Sequence, residues 1–233
     1  MLTIYNICQQ KGEFAEYFHE MGGILFIYNL SKSSKHLEVK EAALFTLGGL
    51  AENSVFCQQV LCRMDVFTYM SHLLMEDCPL TTKRVAVYMV SVLVTCNKSG
   101  QIHAKVTGCI DILLDLFRSS FPISSDDMRP AHITQLCQLW TSVSNALCGC
   151  VNNPQNEENQ LMCMSIFPVA KTWLESFVLP VTEIMQPITS LVGMTVANNP
   201  SAQGFFCLDG GLADPGPVPC EVRRGVQSQP SGP

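Results

Sequence analysis

Charge is scarce in this chain. Asp, Glu, Lys and Arg make up 15% of its 233 residues, and the formal net charge is −6 at pH 7. Basic residues do not gather. Pairs such as Lys83-Arg84 and Arg223-Arg224 are too short for a phosphate-binding patch, so direct DNA binding is not expected. Cysteine is plentiful, at 12, but no CxxC spacing occurs. Most thiols lie in apolar runs, as in Val94-Thr95-Cys96 and Leu136-Cys137. A free thiol there behaves as a small buried hydrophobe, and a reduced intracellular protein is expected rather than a disulfide framework. No apolar run approaches the ~20 residues of a membrane span. The longest, 85–96, reads as a buried helix, so no transmembrane segment is expected. Met1 is followed by neither a basic nor an apolar leader segment, so no signal peptide is read there.

The motifs of common chemistries are missing too. There is no GxSxG, no P-loop and no HExxH. Cys148, Cys150 and Cys163 share one region, but residues two apart on a helix point to different sides, and no His is near. His19, His72 and His103 fall on predicted helix surfaces, and His36 and His132 in loops. The acids Asp126-Asp127 and Glu157-Glu158 read as solvated loop residues. No catalytic, cofactor-binding or metal-binding residue is assigned, no cofactor is expected, and the chain is read as a non-enzyme.

What the chain does have is apolar periodicity and repetition. Val39, Ala42, Ala43, Thr46, Leu47, Leu50 and Ala51 mark one face of a helix. Val85, Tyr88, Met89, Val92, Leu93 and Cys96 mark a second. Leu136, Leu139, Trp140, Val143, Leu147 and Cys150 mark a third, and Ile184, Ile188, Leu191, Val192 and Val196 a fourth. Strand-like alternation is hardly present. Gly corners recur in "EMGGILFIYNL" at Glu20, "VTGCIDILLDLF" at Val106 and "LDGGL" at Leu208. "CRMDVFTYMSHLL" at Cys62 fits the frame without Gly, and "IFPVAKTWL" at Ile166 fits with its register near Pro168. The apolar residues after these corners are Ile24, Val66, Ile110 and Leu212. Spacings of about 42–44 residues, with one longer step, match armadillo or HEAT repeats. Gly supplies the dihedrals of a sharp corner between a short first helix and a second, which favours armadillo.

The expectation is therefore an all-α fold, an armadillo-type α-solenoid of about four to five repeats over 1–212. It would be incomplete at both ends, with an inserted loop near 119–134. A disordered Pro/Gly-rich tail would follow over 213–233. Splicing, a frame change or an incomplete gene model would each explain that end. "VNNPQN" at Val151 and "ANNPSA" at Ala197 are read as corners that close one long helix and open the next short one. Stacked units bury one continuous core and leave an extended binding face. An Asn ladder for an extended peptide backbone would need amides at Gly49, Val92, Gly149 or Cys148, and Met194. None is there. Protein-contacting residues stay unassigned. Lys40, Glu41, Lys83 and Arg84 are candidates by position, and a solvated face explains them as well.

Three stretches carry a resemblance. "EYFHEMGGILFIYNLSKSS" from Glu16, "VKEAALFTLGGLAEN" from Val39 and "CVNNPQNEENQ" from Cys150 resemble the N-terminal armadillo region of the meiotic telomere bouquet-formation family of vertebrates. The resemblance runs over about residues 2–212. It implies a non-enzymatic scaffold at telomeres in the nucleus. That scaffold joins telomeres to the inner nuclear membrane for chromosome movement and homologous pairing in meiotic prophase. It also implies a SUN-domain partner in that membrane for the armadillo region. The family's shelterin and attachment-complex contacts, and its Myb-like domain, belong to later regions that this stretch does not match. The alternatives are a generic armadillo adaptor with another partner and a non-functional truncated isoform.

Overall fold

The computed structural model describes Asn6 and residues 12–119, 130–176 and 182–207. The described residues are helical and contain no strand. A short helix α1 (Gly12–Glu20) turns at Gly22 into α2 (Gly23–Ser33), and the longer α3 (Leu37–Asn53) follows. The order then recurs. It is seen in α4 (Val55–Leu61), α5 (Met64–Met75) and α6 (Leu80–Val94), and again in α7 (Lys98–Val106), α8 (Cys109–Ser119) and α9 (Pro130–Val151). The last set is α10 (Glu157–Cys163), a 3-10 turn (Met164–Ile166), α11 (Phe167–Ser176) and α12 (Thr182–Val196), after which α13 (Pro200–Phe205) opens another. The long helices α3, α6, α9 and α12 pack side by side in chain order.

The corners follow from local chemistry. Gly22 and Gly108 adopt φ of +76° and +73°, a region that an L side chain enters at a cost of about 1–2 kcal/mol. The Cys62-Arg63 corner needs no Gly, because neither residue has positive φ. Ile24, Val66 and Ile110 are buried just past their corners. In the fourth set Pro168 is exposed, and Phe167, 1% exposed, holds the buried place instead. Gly108→Ala should cost about 1–2 kcal/mol. Gly193 has ordinary φ, lies inside α12 and has open space around its absent Cβ. Gly193→Ala should therefore stabilise by about 0.5–1 kcal/mol. Melting curves of the two variants should shift in opposite directions.

The junctions between long and short helices share one design. Cys96, Asn153 and Asn198 sit in the left-handed region just after α6, α9 and α12. The next short helix is then capped by a side-chain oxygen that accepts a backbone N–H three residues on. Ser54 takes Cys57 at 3.3 Å, Asn97 takes Gly100 at 3.2 Å, Asn156 takes Asn159 at 3.3 Å and Asn199 takes Ala202 at 3.1 Å. The two Asn-Asn-Pro corners therefore differ. In the second, Asn198 ends α12, Asn199 caps α13 and Pro200 is its first residue, as read from sequence. In the first, Asn153 ends α9, but Pro154 lies in a turn after a cis peptide bond, and Asn156 supplies the cap.

Four residues after each of these caps stands a glutamine. Gln58 Nε2 donates to the carbonyls of Val92 and Thr95, both at 2.8 Å. Gln101 donates to Gly149, Asn152 and Pro154 at 2.9–3.1 Å. Gln160 donates to Met194 and Ala197 at 2.9 Å. Each short helix thus ties down the orphan C-terminal carbonyls of the long helix in its own set. Gln203 has the same position in α13 but turns back to Val196 of α12 at 3.0 Å.

The core is continuous along the row of long helices. In α6, Ala86, Val87, Met89, Val90, Leu93 and Val94 are all fully buried, because α3, α5, α7 and α9 surround the helix. That accounts for its apolar composition on nearly every side. Cys96 is not on this face; it is exposed beyond the helix end. Ala42, placed on the α3 face, is exposed, and Leu44 is buried. The expected loop near 119–134 is largely outside the described residues, but residues 130–134 are helical, with Pro130 suited to a first turn. His132 accordingly belongs to α9 rather than a loop. "LDGGL", Leu212 and the 213–233 tail lie outside the described residues.

Candidate functional site

The four long helices each present an exposed strip, and polar side chains bridge neighbouring strips. Glu41 on α3 accepts the hydroxyls of Thr81 and Thr82 on α6, at 2.9 and 2.5 Å. Arg84 on α6 donates to Gln138 on α9 at 2.6 Å. Asn152, just after α9, approaches the Met194 sulfur on α12 at 2.9 Å. The positions where an Asn ladder would lie are otherwise occupied. Gly49 is buried, Val92 is 8% exposed, Cys148 and Gly149 are half-buried, and Met194 is 36% exposed. Asn53 turns its amide onto the Gly49 carbonyl at 2.8 Å rather than outward. Lys40, Glu41, Lys83 and Arg84 are half-buried rather than a free solvated face, and Glu41 and Arg84 bridge helices.

Between the C-terminal halves of α3 and α6 lies a groove of about 390 Å³. Tyr88, which lines it, lies against Gly48 of α3. A Cβ there would stand 2.5 Å from the Tyr88 ring, so only glycine lets that ring lie on the α3 backbone. Phe45, one turn earlier on α3, meets Tyr88 with ring centroids 5.6 Å apart and planes tilted by 30°. The Tyr88 hydroxyl donates to Glu52 Oε2 at 2.6 Å. Ser91, Thr95 and Cys96 complete the α6 side, and Gln58 closes one end by bonding Val92 and Thr95. The groove lining contains no Lys or Arg. A second recess, about 460 Å³, lies between α7 and α10. There Lys105 Nζ pairs with Glu158 at 2.6 Å, and this lysine holds the Glu158 carboxyl below the usual range. Glu157 and Glu158 open α10, where the helix dipole favours acids, rather than lying in a loop. Asp126-Asp127 lie outside the described residues.

The remaining histidines and thiols are structural in their surroundings. His19 is half-buried edge-on to Phe56 at 5.4 Å, His72 is exposed on α5, and His36 is exposed ahead of α3. His103 packs on Phe67, with Nδ1 3.7 Å from the Cys62 sulfur. Burial pushes the Cys62 thiol up, against a bond from Asn97 that lowers it, so it stays protonated at neutral pH. Asn97 is also engaged as a helix cap. Cys109, Cys150 and Cys163 are fully buried. No group of residues able to hold a metal ion is found among the described residues. Among them, too, no helix is long and apolar enough to cross a membrane.

The buried thiols give a pH prediction. Burial pushes Cys109 and Cys163 up to about 12 and Cys148 to about 11, from an ordinary 9.0. The folded chain therefore keeps protons that the unfolded chain sheds above pH 9. Their stability contribution is intact below 9 and is lost as pH climbs from 9 towards 12. Melting temperature should be level across neutral pH and fall above 9. The fall should be shallower in a Cys109→Ala, Cys163→Ala double variant.

Comparison with known proteins adds the following. No family model matches the chain. It is 54% identical over 212 residues to telomere repeats-binding bouquet formation protein 1 of Danio rerio, covering 91% of this chain and 25% of that protein. The proteins of the same name from Homo sapiens and Mus musculus are 46% and 44% identical, covering 91% and 98% of this chain and 29% of each relative. The chain thus spans about a quarter of the length of the curated relatives it matches, and the resemblance read from the Glu16, Val39 and Cys150 stretches holds. The fold is also similar to the crystal structure of an engineered protein, with a TM-score of 0.67, at 13% identity, over 88% of this chain and 75% of that one.

Proposed function

We propose that this chain is a non-enzymatic protein-interaction scaffold with a meiotic role at telomeres. The observation that carries it is 44–54% identity to three vertebrate proteins named for telomere-repeat binding and bouquet formation. The architecture we propose is an armadillo-type α-solenoid of about four to five repeats. The recurring order of helices, the shared caps and the glutamine ties support it, as units of one design stacked on their neighbours. In this reading the exposed strips of the long helices form the binding face. The partner is a SUN-domain protein of the inner nuclear membrane, and the chain acts in the nucleus, at telomeres attached to that membrane, in chromosome movement and homologous pairing. Direct DNA binding by this stretch is not proposed, since its charge is −6 and its bases are scattered.

The test is binding of this chain, purified and folded, to the nucleoplasmic region of a SUN-domain protein, beside the full-length relative. Binding by the relative alone would remove the SUN-domain assignment. Tagged chain in meiotic prophase cells should form foci at chromosome ends, and a diffuse cytosolic signal would instead favour an adaptor with another partner.

A further inference from the structure

We propose that the groove between α3 and α6 receives an arginine side chain from a protein partner, stacked on Phe45 and Tyr88 and paired with Glu52. This rests on the reading of the chain as an interaction scaffold and names the chemistry of one contact on it.

The groove offers three things that a guanidinium uses together. The first is an aromatic face. Phe45, beside the groove rather than in its lining, is 55% exposed, and its ring lies 5.6 Å from that of the lining residue Tyr88 with the planes tilted by 30°. A cation over such rings is attracted by their quadrupoles. The second is a positioned carboxylate. Glu52 is exposed, and its Oε2 is held by the Tyr88 hydroxyl at 2.6 Å, which fixes the group beside the rings. A carboxylate so held still has acceptor sites for an incoming N–H. The third is the absence of a competing base: no Lys or Arg lines the groove.

α4, which borders one end of the groove, carries no charged residue. The base one turn before Tyr88 on α6 is Arg84, and it is directed to Gln138 on α9. The arrangement is also built rather than incidental, because Gly48 is the residue that lets the Tyr88 ring lie where it does. Arginine fits better than lysine. Its planar head stacks on a ring while its edge N–H groups reach a carboxylate, whereas an ammonium is a hydrated point charge.

The experiment is an NMR titration of the full chain with acetyl-Gly-Gly-Arg-Gly-Gly-amide and with its citrulline counterpart, which is neutral and nearly isosteric. The arginine peptide should shift the amides of Phe45, Glu52, Tyr88 and Cys96, and the citrulline peptide should not. Glu52→Gln and Phe45→Ala should each weaken binding at least about fivefold, while Glu157→Gln, which removes the same charge on α10, leaves it unchanged. Equal loss from Glu52→Gln and Glu157→Gln would reduce the effect to general attraction and overturn the proposal. Both surface substitutions should leave the spectrum folded, so loss of binding reports the site. The SUN-domain fragment is titrated in parallel. If it binds and the arginine peptide produces no groove shifts, this proposal falls and the scaffold reading stands. If the arginine peptide fills the groove and the SUN-domain fragment does not bind, the SUN-domain assignment falls and the groove stands.

Discussion

Trp140→Ala is expected to lower the stability of this chain by about 3–5 kcal/mol, the usual cost of truncating a fully buried large aromatic. Trp140 is 0% exposed on α9. Its ring lies 4.9 Å from Phe117 on α8 and 5.0 Å from Trp173 on α11, and Phe117 and Trp173 are themselves 5.0 Å apart. The three rings bring three helices to one point, and the indole N–H also donates to the Phe117 carbonyl at 3.2 Å. Removing this ring leaves a cavity against both of its aromatic neighbours. A domain has about 5–15 kcal/mol in all, and at this size each kilocalorie is worth about 2–4 °C of melting temperature. The variant should therefore melt about 6–20 °C lower by circular dichroism. Trp173 is then the one tryptophan left of two, so its emission reports the same site. Trp140→Phe keeps a ring between the neighbours and should cost markedly less. A loss below about 1 kcal/mol for the alanine variant would mean that the cluster does not hold these helices together.

The helices were legible in the sequence where burial is one-sided. On α9 the predicted Leu139, Trp140, Val143, Leu147 and Cys150 are buried, and Leu136, nearer the start of the helix, is half-buried. On α6 periodicity marked a helix, and Met89, Val92 and Leu93 of the predicted face are buried, but Ala86, Val87, Val90 and Val94 outside it are buried too. Val85 and Tyr88 were placed on its core face, yet both are half-buried, and Tyr88 lines the groove. A helix packed on nearly all sides gives its apolar residues no single stripe, so the exposed strip cannot be found from composition. The groove was illegible for a related reason. Phe45 and Tyr88 are 43 residues apart in the chain and meet only through the offset between α3 and α6, which neither helix encodes alone. Gly48 within "TLGGLAEN" was the one local hint, since a helix-interior glycine often marks a close approach.

The glutamine ties were readable but were missed because the units were aligned on their Gly corners. Aligned on the caps, Ser54-x3-Gln58, Asn97-x3-Gln101, Asn156-x3-Gln160 and Asn199-x3-Gln203 share one spelling, and Asn6-x3-Gln10 repeats it. The serine in one set and the Pro154-Gln155 insertion before another hide the period. Capping, not the Gly corner, is the feature common to these junctions, because each short helix has orphan N–H groups to satisfy while only some corners need positive φ.

That shared position allows a paired experiment whose two halves should differ sharply. Gln101 is 0% exposed and donates to three carbonyls at the end of α9, while its own Oε1 accepts from Asn156 Nδ2 at 3.3 Å. Gln101→Ala leaves several of these groups buried and unpaired, each at a cost of about 1–3 kcal/mol, partly relieved if water enters the space. A net loss of about 3 kcal/mol is expected, enough to move a denaturation midpoint clearly. Gln203 has the same place in α13, yet it is exposed and makes one bond, back to Val196. Gln203→Ala should change stability by less than about 0.5 kcal/mol. Chemical denaturation of the two variants beside the parent chain measures both. Equal effects would show that the amide matters only as a local helix residue. A large loss for Gln101 alone would show that its worth lies in the long-helix end it holds. The fourth glutamine would then be the same device with no long helix of its own to hold among the described residues, and in a longer chain that supplied such a helix Gln203→Ala should become as costly as Gln101→Ala.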